Sequence, residues 1–238
     1  MKISFVIPIF NNAATILMLK DQLAGLSVKN NWEYEIIFVN DCSRDNSLQI
    51  LSSLKDHSTV IHLKNNKGQS TAVLMGLKFV TGNIAVAMDA DLQDRPDFIP
   101  LLVERINDST DVVFSGRSGR YEEQTKLISA KSFKFILHLL SRKRLPADAC
   151  MFFAIKQSAI APLLAYTGSK PYLLSLIAKQ QLRCISIPYI RAANNLTKSN
   201  YTFIKRWKVG IKGIMNFFVL KEKDLPIDEY LIIHQNKD

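Results

Sequence analysis

The sequence predicts an α/β protein with a Rossmann-like, mainly parallel sheet flanked by helices and a basic, amphipathic helical elaboration near the C-terminus. Three observations carry this prediction. Short apolar runs alternate with stretches of helical spacing over residues 1–116, which is typical of βαβ units. Of the 238 residues 47% are hydrophobic, and only nine Gly and eight Pro occur, which excludes disordered and collagen-like chains. Basic and apolar residues alternate at helical spacing over 198–220.

Five strands are predicted in the first half, each ending at polar or turn-forming residues. They cover residues 3–9, 34–39, 60–63, 84–88 and 111–115. The first is an almost continuous apolar run, as expected of a strand buried on both faces, and it is followed by Asn11 and Asn12. Ligands of parallel sheets bind beyond the carboxyl ends of the strands, so functional residues are expected directly after each strand.

Helices are predicted between these strands from their apolar spacing and their end signals. They cover 15–26, a segment that begins after Ser43 or Asp45, 68–80 and 96–106. Ser43 and Asp45 are both of a type that caps helix N-termini. Gly82 follows the third helix as a stop, and Pro96 opens the fourth.

The second half has a different order of elements. A helix is predicted over 126–140, a strand over 150–155, helices over 159–166 and 171–180, a strand over 184–190 and a helix over 198–220. Neither a repeat nor a linker divides the sequence, so one domain with a C-terminal elaboration is expected.

The charge is distributed unevenly along the chain. Residues 1–115 hold ten Lys and Arg against 13 Asp and Glu, whereas residues 116–238 hold 21 against eight, a net charge of +13. Basic surfaces bind phosphates, nucleic acids or anionic membranes, and the alternative is a solvated basic face. An acidic cluster and a basic face on one chain favour a protein that bridges two partners.

The cysteines and histidines indicate neither disulfides nor a zinc site. Cys42, Cys150 and Cys184 are far apart and form no C-x-x-C, and the four histidines show no metal-binding spacing. We therefore expect a reducing compartment. The apolar runs are all shorter than the roughly 18 residues that span a bilayer, and the N-terminus is not of the signal-peptide type.

Carboxylates are concentrated after two of the predicted strands. Asp41 and Asp45 follow the second strand, and Asp89, Asp91 and Asp94 follow the fourth. Closely spaced carboxylates repel one another unless a cation or water screens them. Mg²⁺ is commonly held by one or two carboxylates and substrate phosphates, so the D-x-D step is a candidate metal motif. A solvated acidic turn is the alternative.

Four motifs occur in order along the first half of the chain. They are FVIPIFNN over residues 5–12, VNDCSRDNS over 39–47, NKGQSTA over 66–72 and DADLQD over 89–94. Together they resemble glycosyltransferase family 2, the inverting nucleotide-sugar transferases with the GT-A fold, in the branch that contains the polyprenyl-phosphate sugar synthases. Cys42 stands where Gly is usual in that family. The resemblance is clear over about residues 1–120 and weaker to about residue 220.

The resemblance implies a nucleotide-binding set and a divalent metal. The nucleotide-binding residues would be Pro8, Phe10, Asn11, Asp41, Asn66, Gly68, Asp89 and Asp91. Asp91 would ligate Mg²⁺ or Mn²⁺ on the diphosphate, and Asp41 would accept from the base ring N–H, which favours UDP or dTDP sugars. For Asn66 and Gly68, turn formation is an equal alternative. Asp45 is expected to cap the second helix.

The resemblance also implies a set of residues on the acceptor side. Gln93, Arg117, Arg120, Lys198 and Tyr201 would meet the acceptor or its phosphate, and Asp94 would line the same side as a candidate catalytic residue. Asp148 is the candidate base, with a loop aspartate as the alternative reading. A base is needed only when the acceptor is a hydroxyl, because a phosphate is already ionised.

Some positions depart from the polyprenyl-phosphate branch. Ala154 stands where that branch often has Arg, Thr197 replaces a usual Gly, and Asn194 replaces a common Arg. The leading interpretation is therefore a metal-dependent, inverting transferase that extends a lipid-linked saccharide for a cell-surface polysaccharide. A polyprenyl-phosphate sugar synthase is the close alternative. An anion-binding module and a nucleotidyltransferase are further alternatives, and no nucleic-acid partner is expected because its signatures are absent.

We expect one GT-A domain over residues 1–220, with a nucleotide-binding half over 1–116, an acceptor half over 117–220 and a C-terminal tail over 221–238. The segment 198–220 is either an interfacial helix on an anionic membrane or a helix packed on the sheet. The expected location is cytoplasmic, at the inner face of the cell membrane. The sequence leaves the oligomeric state open.

Overall fold

The architecture is a mixed eight-stranded sheet with helices on both faces. The computed structural model describes residues 1–54, 56–117, 135–136, 138–142, 144–165, 171–190 and 230–234. The strands are β1 (Lys2–Ile9), β2 (Glu33–Asn40), β3 (Ser58–Leu63), β4 (Ile84–Ala87), β5 (Val112–Arg117), β6 (Phe153–Lys156), β7 (Cys184–Tyr189) and β8 (Tyr230–His234). The helices are α1 (Ile16–Lys29), α2 (Ser47–Ser53), α3 (Gln69–Leu77), α4 (Ile99–Glu104), α5 (Ala161–Leu164) and α6 (Leu173–Lys179).

The sheet has the order β7-β5-β6-β4-β1-β2-β3-β8. The pairs β1–β2, β1–β4, β2–β3 and β5–β7 are parallel, while β6 runs antiparallel to both β4 and β5, and β8 antiparallel to β3. The prediction of a mainly parallel sheet is confirmed. We call the side at which β1, β2, β4 and β5 end, at Ile9, Asn40, Ala87 and Arg117, the carboxyl edge. The amino edge is the opposite side, where the same strands begin.

Two core layers hold the sheet between its helices. Phe5 and Ile7 of β1 pack in the layer that contains α1, α2 and α4, while Val6 packs in the layer that contains α3, α5 and α6. Successive residues of a strand point to opposite faces, so one strand supplies both layers. This explains why β1 is apolar along its whole length, and it agrees with an α/β sheet covered on both faces.

Several element boundaries differ from the predicted ones. The strand predicted over 150–155 begins at Phe153, because its partner β4 has only four residues and the ladder extends no further. The helix predicted over 68–80 ends at Leu77, because the chain then turns so that the amide of Thr81 can bond to Glu35. The predicted helix over 96–106 divides into a 3₁₀ turn over Pro96–Phe98 and α4.

Strand β8 is an element that the sequence did not predict. Its residues pair antiparallel with β3 from Leu63↔Tyr230 to Val60↔His234. It lies in the predicted C-terminal tail over 221–238, where a run of Tyr, Leu and two Ile residues is the sequence signal for a strand. Of the helix predicted over 126–140, residues 135–136 and 138–140 are described and helical, and the helix predicted over 198–220 lies outside the described residues.

The amino edge is closed by buried polar contacts. Glu35 is 9% exposed, and its Oε1 accepts hydrogen bonds from the Ser4 hydroxyl, the Thr81 amide at 2.8 Å and the Thr81 hydroxyl at 3.0 Å. Ser4 Oγ in turn accepts from the Gly82 amide at 2.9 Å. These bonds tie β1 and β2 to the turn before β4, so a buried carboxylate is satisfied as burial requires.

A second closure joins Asp111 and Arg183, the residues directly before β5 and β7. The Arg183 guanidinium donates from Nε to Asp111 Oδ2 at 2.9 Å and from Nη2 to Asp111 Oδ1 at 2.6 Å. These hydrogen bonds lower the pKa of Asp111, because they favour its charged form.

Candidate active site

The loops that leave the carboxyl edge contain three unusual backbone conformations. Asn11 after β1, Cys42 after β2 and Leu92 after β4 have φ values of 56°, 58° and 58°. This left-handed region is uncommon for residues other than Gly, and it is costly for a bulky residue such as Leu. Such conformations persist where the surroundings impose them.

Hydrogen bonds join the first two of these loops. The amide of Asn11 donates to Ser43 Oγ at 3.0 Å, and Asn11 Oδ1 accepts from the Arg44 amide at 2.8 Å. Asp45 accepts from the amides of Ala13 and Ser47, both at 3.0 Å. Asp45 thus bonds into the first turn of α2, although the helix N-cap is the next residue. Asn11, predicted to bind nucleotide, holds the two loops together through its side chain.

Asp41 organises the turn that follows β3. Its Oδ1 accepts from the Lys67 amide at 2.6 Å and its Oδ2 from the Gly68 amide at 2.8 Å. Its carbonyl accepts from Asn66 Nδ2 at 3.1 Å. Burial raises the pKa of Asp41, and the two amide hydrogen bonds act in the opposite direction.

This arrangement gives Asp41 a structural task in addition to the predicted contact with a base. The residue is only 3% exposed, and Gly68 takes a φ of 90° so that the turn can present its amides to the carboxylate. Asn66 and Gly68 therefore lie beside Asp41, as the nucleotide-binding set requires. Their contact with a nucleotide stays a prediction.

A glutamine that the sequence analysis did not select links this turn to the D-x-D segment. Gln69, the first residue of α3, donates from its side-chain amide to Asp89 Oδ1. The chain of contacts therefore runs from Asp41 through the 66–68 turn and Gln69 to Asp89, across the ends of β2, β3 and β4. The available signal was the position of Gln69, directly after the glycine of the turn.

The D-x-D segment bends immediately after β4. Asp89 and Asp91 are partly exposed, and Asp91 Oδ1 accepts from the Gln93 amide at 3.0 Å across the left-handed Leu92. Gln93 is partly exposed as well, whereas the side chain of Asp94 has no exposed surface. Asp94 therefore lies behind the loop, and its assignment to the acceptor side stays a prediction.

Tyr189, which the sequence analysis also did not select, supports this loop from the end of β7. Its hydroxyl accepts from the Arg95 amide at 2.7 Å and donates to the Gln93 carbonyl at 3.4 Å. The residue is 4% exposed, with its ring centroid 4.7 Å from that of Phe98 and 5.7 Å from that of Phe152. A buried, hydrogen-bonded tyrosine of this kind fixes a loop against the core.

Asp148 lies at the same edge, although it comes before its strand and not after it. Because β6 runs antiparallel to β4 and β5, the residues before Phe153 lie where those strands end. Asp148 is partly exposed, and within the described part of the chain it makes no hydrogen bond or ion pair. A carboxylate in this position is available to a substrate.

Aromatic and basic groups complete the described part of the site. Phe10 follows β1 with 45% of its surface exposed, and Pro8 is partly buried within β1. The exposed ring offers a surface for stacking. Arg117 ends β5 at the carboxyl edge, while Arg120, Lys198 and Tyr201 lie outside the described residues.

The donor set suits a hard divalent cation that keeps ligands from its substrate. Among the described residues, no group of three or more His, Cys, Asp and Glu side chains could hold a metal ion. The partly exposed carboxylates of Asp89 and Asp91 supply oxygen ligands only. Mg²⁺ and Mn²⁺ suit such ligands, and substrate phosphates and water usually complete their shells. The residues therefore fit a metal bound together with a diphosphate.

Comparison with known sequences gives a consistent result. The family model described as glycosyl transferase family 2 matches residues 4–163. The undecaprenyl-phosphate 4-deoxy-4-formamido-L-arabinose transferase of Klebsiella pneumoniae (strain 342) is 27% identical over 208 residues, which cover 86% of this chain and 64% of the relative. That of Pectobacterium atrosepticum is 27% identical over 207 residues, covering 85% and 63%. The chain thus spans slightly less than two thirds of these relatives.

Solved structures show the same fold. Glucosyl-3-phosphoglycerate synthase from Mycobacterium tuberculosis with UDP superposes with a TM-score of 0.65 at 19% identity, over 91% of this chain and 79% of that chain. The same protein has been solved with Mn²⁺, UDP-glucose and phosphoglyceric acid, and it superposes with a TM-score of 0.65 at 18% identity, over 91% and 78%. Mannosyl-3-phosphoglycerate synthase from Rubrobacter xylanophilus gives 0.67 at 14% identity, over 96% and 79%.

Proposed function

Because the chain belongs to glycosyl transferase family 2, we propose that it transfers a sugar from a nucleoside-diphosphate sugar to a lipid-linked acceptor, with inversion at the anomeric carbon. The chain is a glycosyltransferase with the GT-A fold, as its motifs predicted. The donor, the acceptor and the metal are the parts that are proposed.

The main support for the proposed donor site is a connected series of contacts at the carboxyl edge. Asp41 holds the amides of Lys67 and Gly68, and the next residue, Gln69, bonds to Asp89. This series spans the ends of three parallel strands, which is where open α/β sheets bind ligands. We assign the exposed ring of Phe10 and the Asp41 region to the nucleoside, and we favour UDP or dTDP.

The diphosphate belongs at the D-x-D segment. Asp91 would ligate Mg²⁺ or Mn²⁺, with Asp89 beside it and the Gln93 amide fixing the orientation of the Asp91 carboxylate. A metal bound there neutralises charge on the departing nucleoside diphosphate. Tyr189 keeps the loop in place through its bonds to the chain at Gln93 and Arg95.

The transfer is a single displacement. The acceptor oxygen forms a bond to the anomeric carbon while the bond from that carbon to the diphosphate oxygen breaks, and the nucleoside diphosphate leaves with the electron pair. With a hydroxyl acceptor, the displaced proton passes to the Asp148 carboxylate. The position of Asp148 at the carboxyl edge supports a hydroxyl acceptor, namely the saccharide of a lipid-linked intermediate.

A polyprenyl-phosphate acceptor is the second candidate. Its support is the name of the relatives, which are undecaprenyl-phosphate sugar transferases. That reaction needs no base, because the phosphate is ionised before it attacks. The two candidates share the donor site and differ in their need for Asp148.

The membrane is the proposed location of either reaction. A lipid-linked acceptor and the net charge of +13 over residues 116–238 support an anionic membrane surface, which we assign to the inner face of the cell membrane. Within the described ranges, every helix is too short or too polar to cross a bilayer.

One experiment separates the two acceptors. Release of nucleoside diphosphate is measured for the wild-type protein and for Asp148→Asn, with a pyrophosphate-linked saccharide and with a polyprenyl phosphate. With the saccharide, the variant is expected to lose about 100-fold or more in kcat, since a general base contributes at least that factor. Equal rates for both proteins would overturn the assignment of a hydroxyl acceptor, and turnover of polyprenyl phosphate alone would support the second candidate.

A further inference from the structure

Gly116 is a glycine in the interior of a strand, and its backbone does not explain its presence. Among the described residues, Gly68 is the glycine that has a positive φ. Gly116 lies in β5 in register with Pro188 of β7. In a strand, Gly is less stable than Ala by about 0.5–1 kcal/mol, because more conformational freedom is lost on folding. The presence of Gly at this position therefore needs an explanation other than backbone conformation.

The space beside Gly116 is occupied by the Asp148 carboxylate. A Cβ built on Gly116 would lie 2.0 Å from Asp148 Oδ2 and 2.8 Å from Asp148 Cγ, with Ser186 Cβ at 3.3 Å. Real Cβ atoms do not approach a neighbour this closely, so any other residue would move the carboxylate. The Asp148 carboxylate occupies the space that a side chain at position 116 would fill.

We propose that Gly116 is a positioning residue, whose lack of a side chain sets the position of the Asp148 carboxylate at the carboxyl edge. The inference rests on the proposed function, because it gives Asp148 a task that depends on its place. It predicts an effect on acceptor chemistry and none on donor binding, since the donor contacts run through Asp41, Gln69 and Asp91.

Two other glycines, Gly76 and Gly25, have surroundings that differ from those of Gly116. A Cβ on Gly76 would lie 2.4 Å from Val6 Cγ1, in the core between α3 and β1. A Cβ on Gly25, in α1, would meet nothing within 4 Å. The Asp148 carboxylate is the end of a partly exposed side chain and can rotate away, whereas Val6 is fully buried and cannot.

The same substitution therefore has three different expected results. Gly116→Ala is expected to keep the fold and lose activity, because the carboxylate moves. Gly76→Ala is expected to lose stability, because the core becomes overpacked. Gly25→Ala is expected to change neither activity nor binding. For Gly116→Ala we expect kcat with the saccharide acceptor to fall about 100-fold, as displacement of a catalytic group by about 1 Å does. The Kd for the nucleoside diphosphate is expected to stay within about twofold, as no donor contact is removed.

The test is a double-mutant cycle with Asp148. The kcat, the KM for acceptor, the Kd for nucleoside diphosphate and the melting temperature are measured for wild type, Gly116→Ala, Asp148→Asn and the double variant. If Gly116 acts through Asp148, the glycine substitution has no further effect on kcat once Asp148 is Asn. Full activity of Gly116→Ala, or an equal loss in the Asp148→Asn background, would overturn the inference.

The cycle also separates the inference from the proposed function. Loss of activity in Asp148→Asn with full activity in Gly116→Ala overturns the role of Gly116 alone. Full activity in Asp148→Asn overturns the hydroxyl-acceptor mechanism, and with it the role of Gly116. If Gly116→Ala does not fold, Asp148→Glu serves instead. It keeps the carboxylate and moves it by one methylene, so full activity overturns the inference, and a loss of kcat supports its premise that catalysis depends on where the carboxylate lies.

Discussion

The two edges of the sheet use the same kinds of residue for different purposes. At the amino edge, Glu35 is buried and accepts three hydrogen bonds on one oxygen, and Asp111 receives a bidentate pair from Arg183. At the carboxyl edge, the carboxylates of Asp89, Asp91 and Asp148 are partly exposed. The amino edge uses carboxylates to close the fold, and the carboxyl edge leaves them accessible, where we propose that they meet the substrate.

The backbone does not show the same difference. Asn11, Cys42 and Leu92 follow strands at the carboxyl edge in the left-handed conformation, with φ values of 56° to 58°. Non-glycine residues in this conformation cost on the order of 1–3 kcal/mol each, and hydrogen bonds between the loops hold them there. At the amino edge, Asn31, His57 and Gln181 lie shortly before β2, β3 and β7 with φ values of 53°, 55° and 55°. The two edges therefore differ in how their carboxylates are used, not in backbone strain. The four predictions below test that division.

The largest effect is expected for Asp41→Ala, because Asp41 is a buried, hydrogen-bonded carboxylate and also part of the proposed donor site. The amides of Lys67 and Gly68 would lose the carboxylate that accepts their hydrogen bonds, and hydrogen bonds to a charged group are worth about 1.5–3 kcal/mol. The turn would no longer present Gln69 to Asp89, so the affinity for nucleoside diphosphate is expected to fall about 100-fold. Titration calorimetry and chemical unfolding measure the two effects. Unchanged affinity would remove the turn from the donor site.

A loss of stability without loss of function is expected for Glu35→Ala at the amino edge. The hydroxyl of Ser4 and the amide of Thr81 would lose their shared acceptor, so the free energy of unfolding should fall by about 2 kcal/mol. The kcat and KM of the folded protein should stay within about twofold, as no substrate contact changes. Glu33→Ala, at an exposed position two residues earlier, is the matched control. A selective loss of kcat would contradict the division between the edges.

Asp111→Asn is expected to change how stability depends on pH. The pKa of Asp111 is lowered in the folded chain by its hydrogen bonds with Arg183. Its contribution is therefore present above the unfolded pKa of about 3.9, and it is lost as the pH falls through the lower, folded pKa. Denaturant unfolding should show the variant to be less stable at pH 7, with the difference shrinking below about pH 4. A difference that is constant with pH would show that the ion pair does not stabilise the fold.

The smallest effect is a gain of stability in Cys42→Gly. Glycine adopts the left-handed conformation without strain, and the relief outweighs the added freedom of the unfolded chain by about 0.5 kcal/mol. Cys42→Ala is the control, because it removes the thiol and retains the strain. Thermal melts should show a higher melting temperature for Cys42→Gly than for wild type, and no increase for Cys42→Ala. A loss of stability in Cys42→Gly would show that the thiol contact with the Lys64 carbonyl matters more.

The sequence predicted the fold, and it places the candidate site at the carboxyl edge, because both inferences depend on local patterns. Alternating apolar runs and helical spacing give the order of elements, and Asp41, Asp89 and Asp91 directly follow strands. The fold class and the family are confirmed. The roles of the individual site residues stay predictions.

Other features depend on contacts that no local pattern encodes. Tyr189 supports a loop that lies 94 to 96 positions earlier in the chain, at Arg95 and Gln93. The reason for Gly116 is a side chain 32 positions later, since only the antiparallel placement of β6 brings Asp148 beside it. Strand β8 had a recognisable apolar run, but its partner β3 is far away in sequence.

The most direct test of the donor site is the thermal shift of the protein with UDP, dTDP, GDP and CDP, each with and without Mn²⁺. A ligand at about 100 times its Kd stabilises the folded state by about 2.7 kcal/mol. Asp91→Ala is compared with Asp97→Ala, which removes a nearby exposed carboxylate paired with Arg95. We expect a Mn²⁺-dependent shift with UDP or dTDP that is retained in Asp97→Ala and lost in Asp91→Ala. An equal shift in Asp91→Ala, or none with any diphosphate, would contradict it.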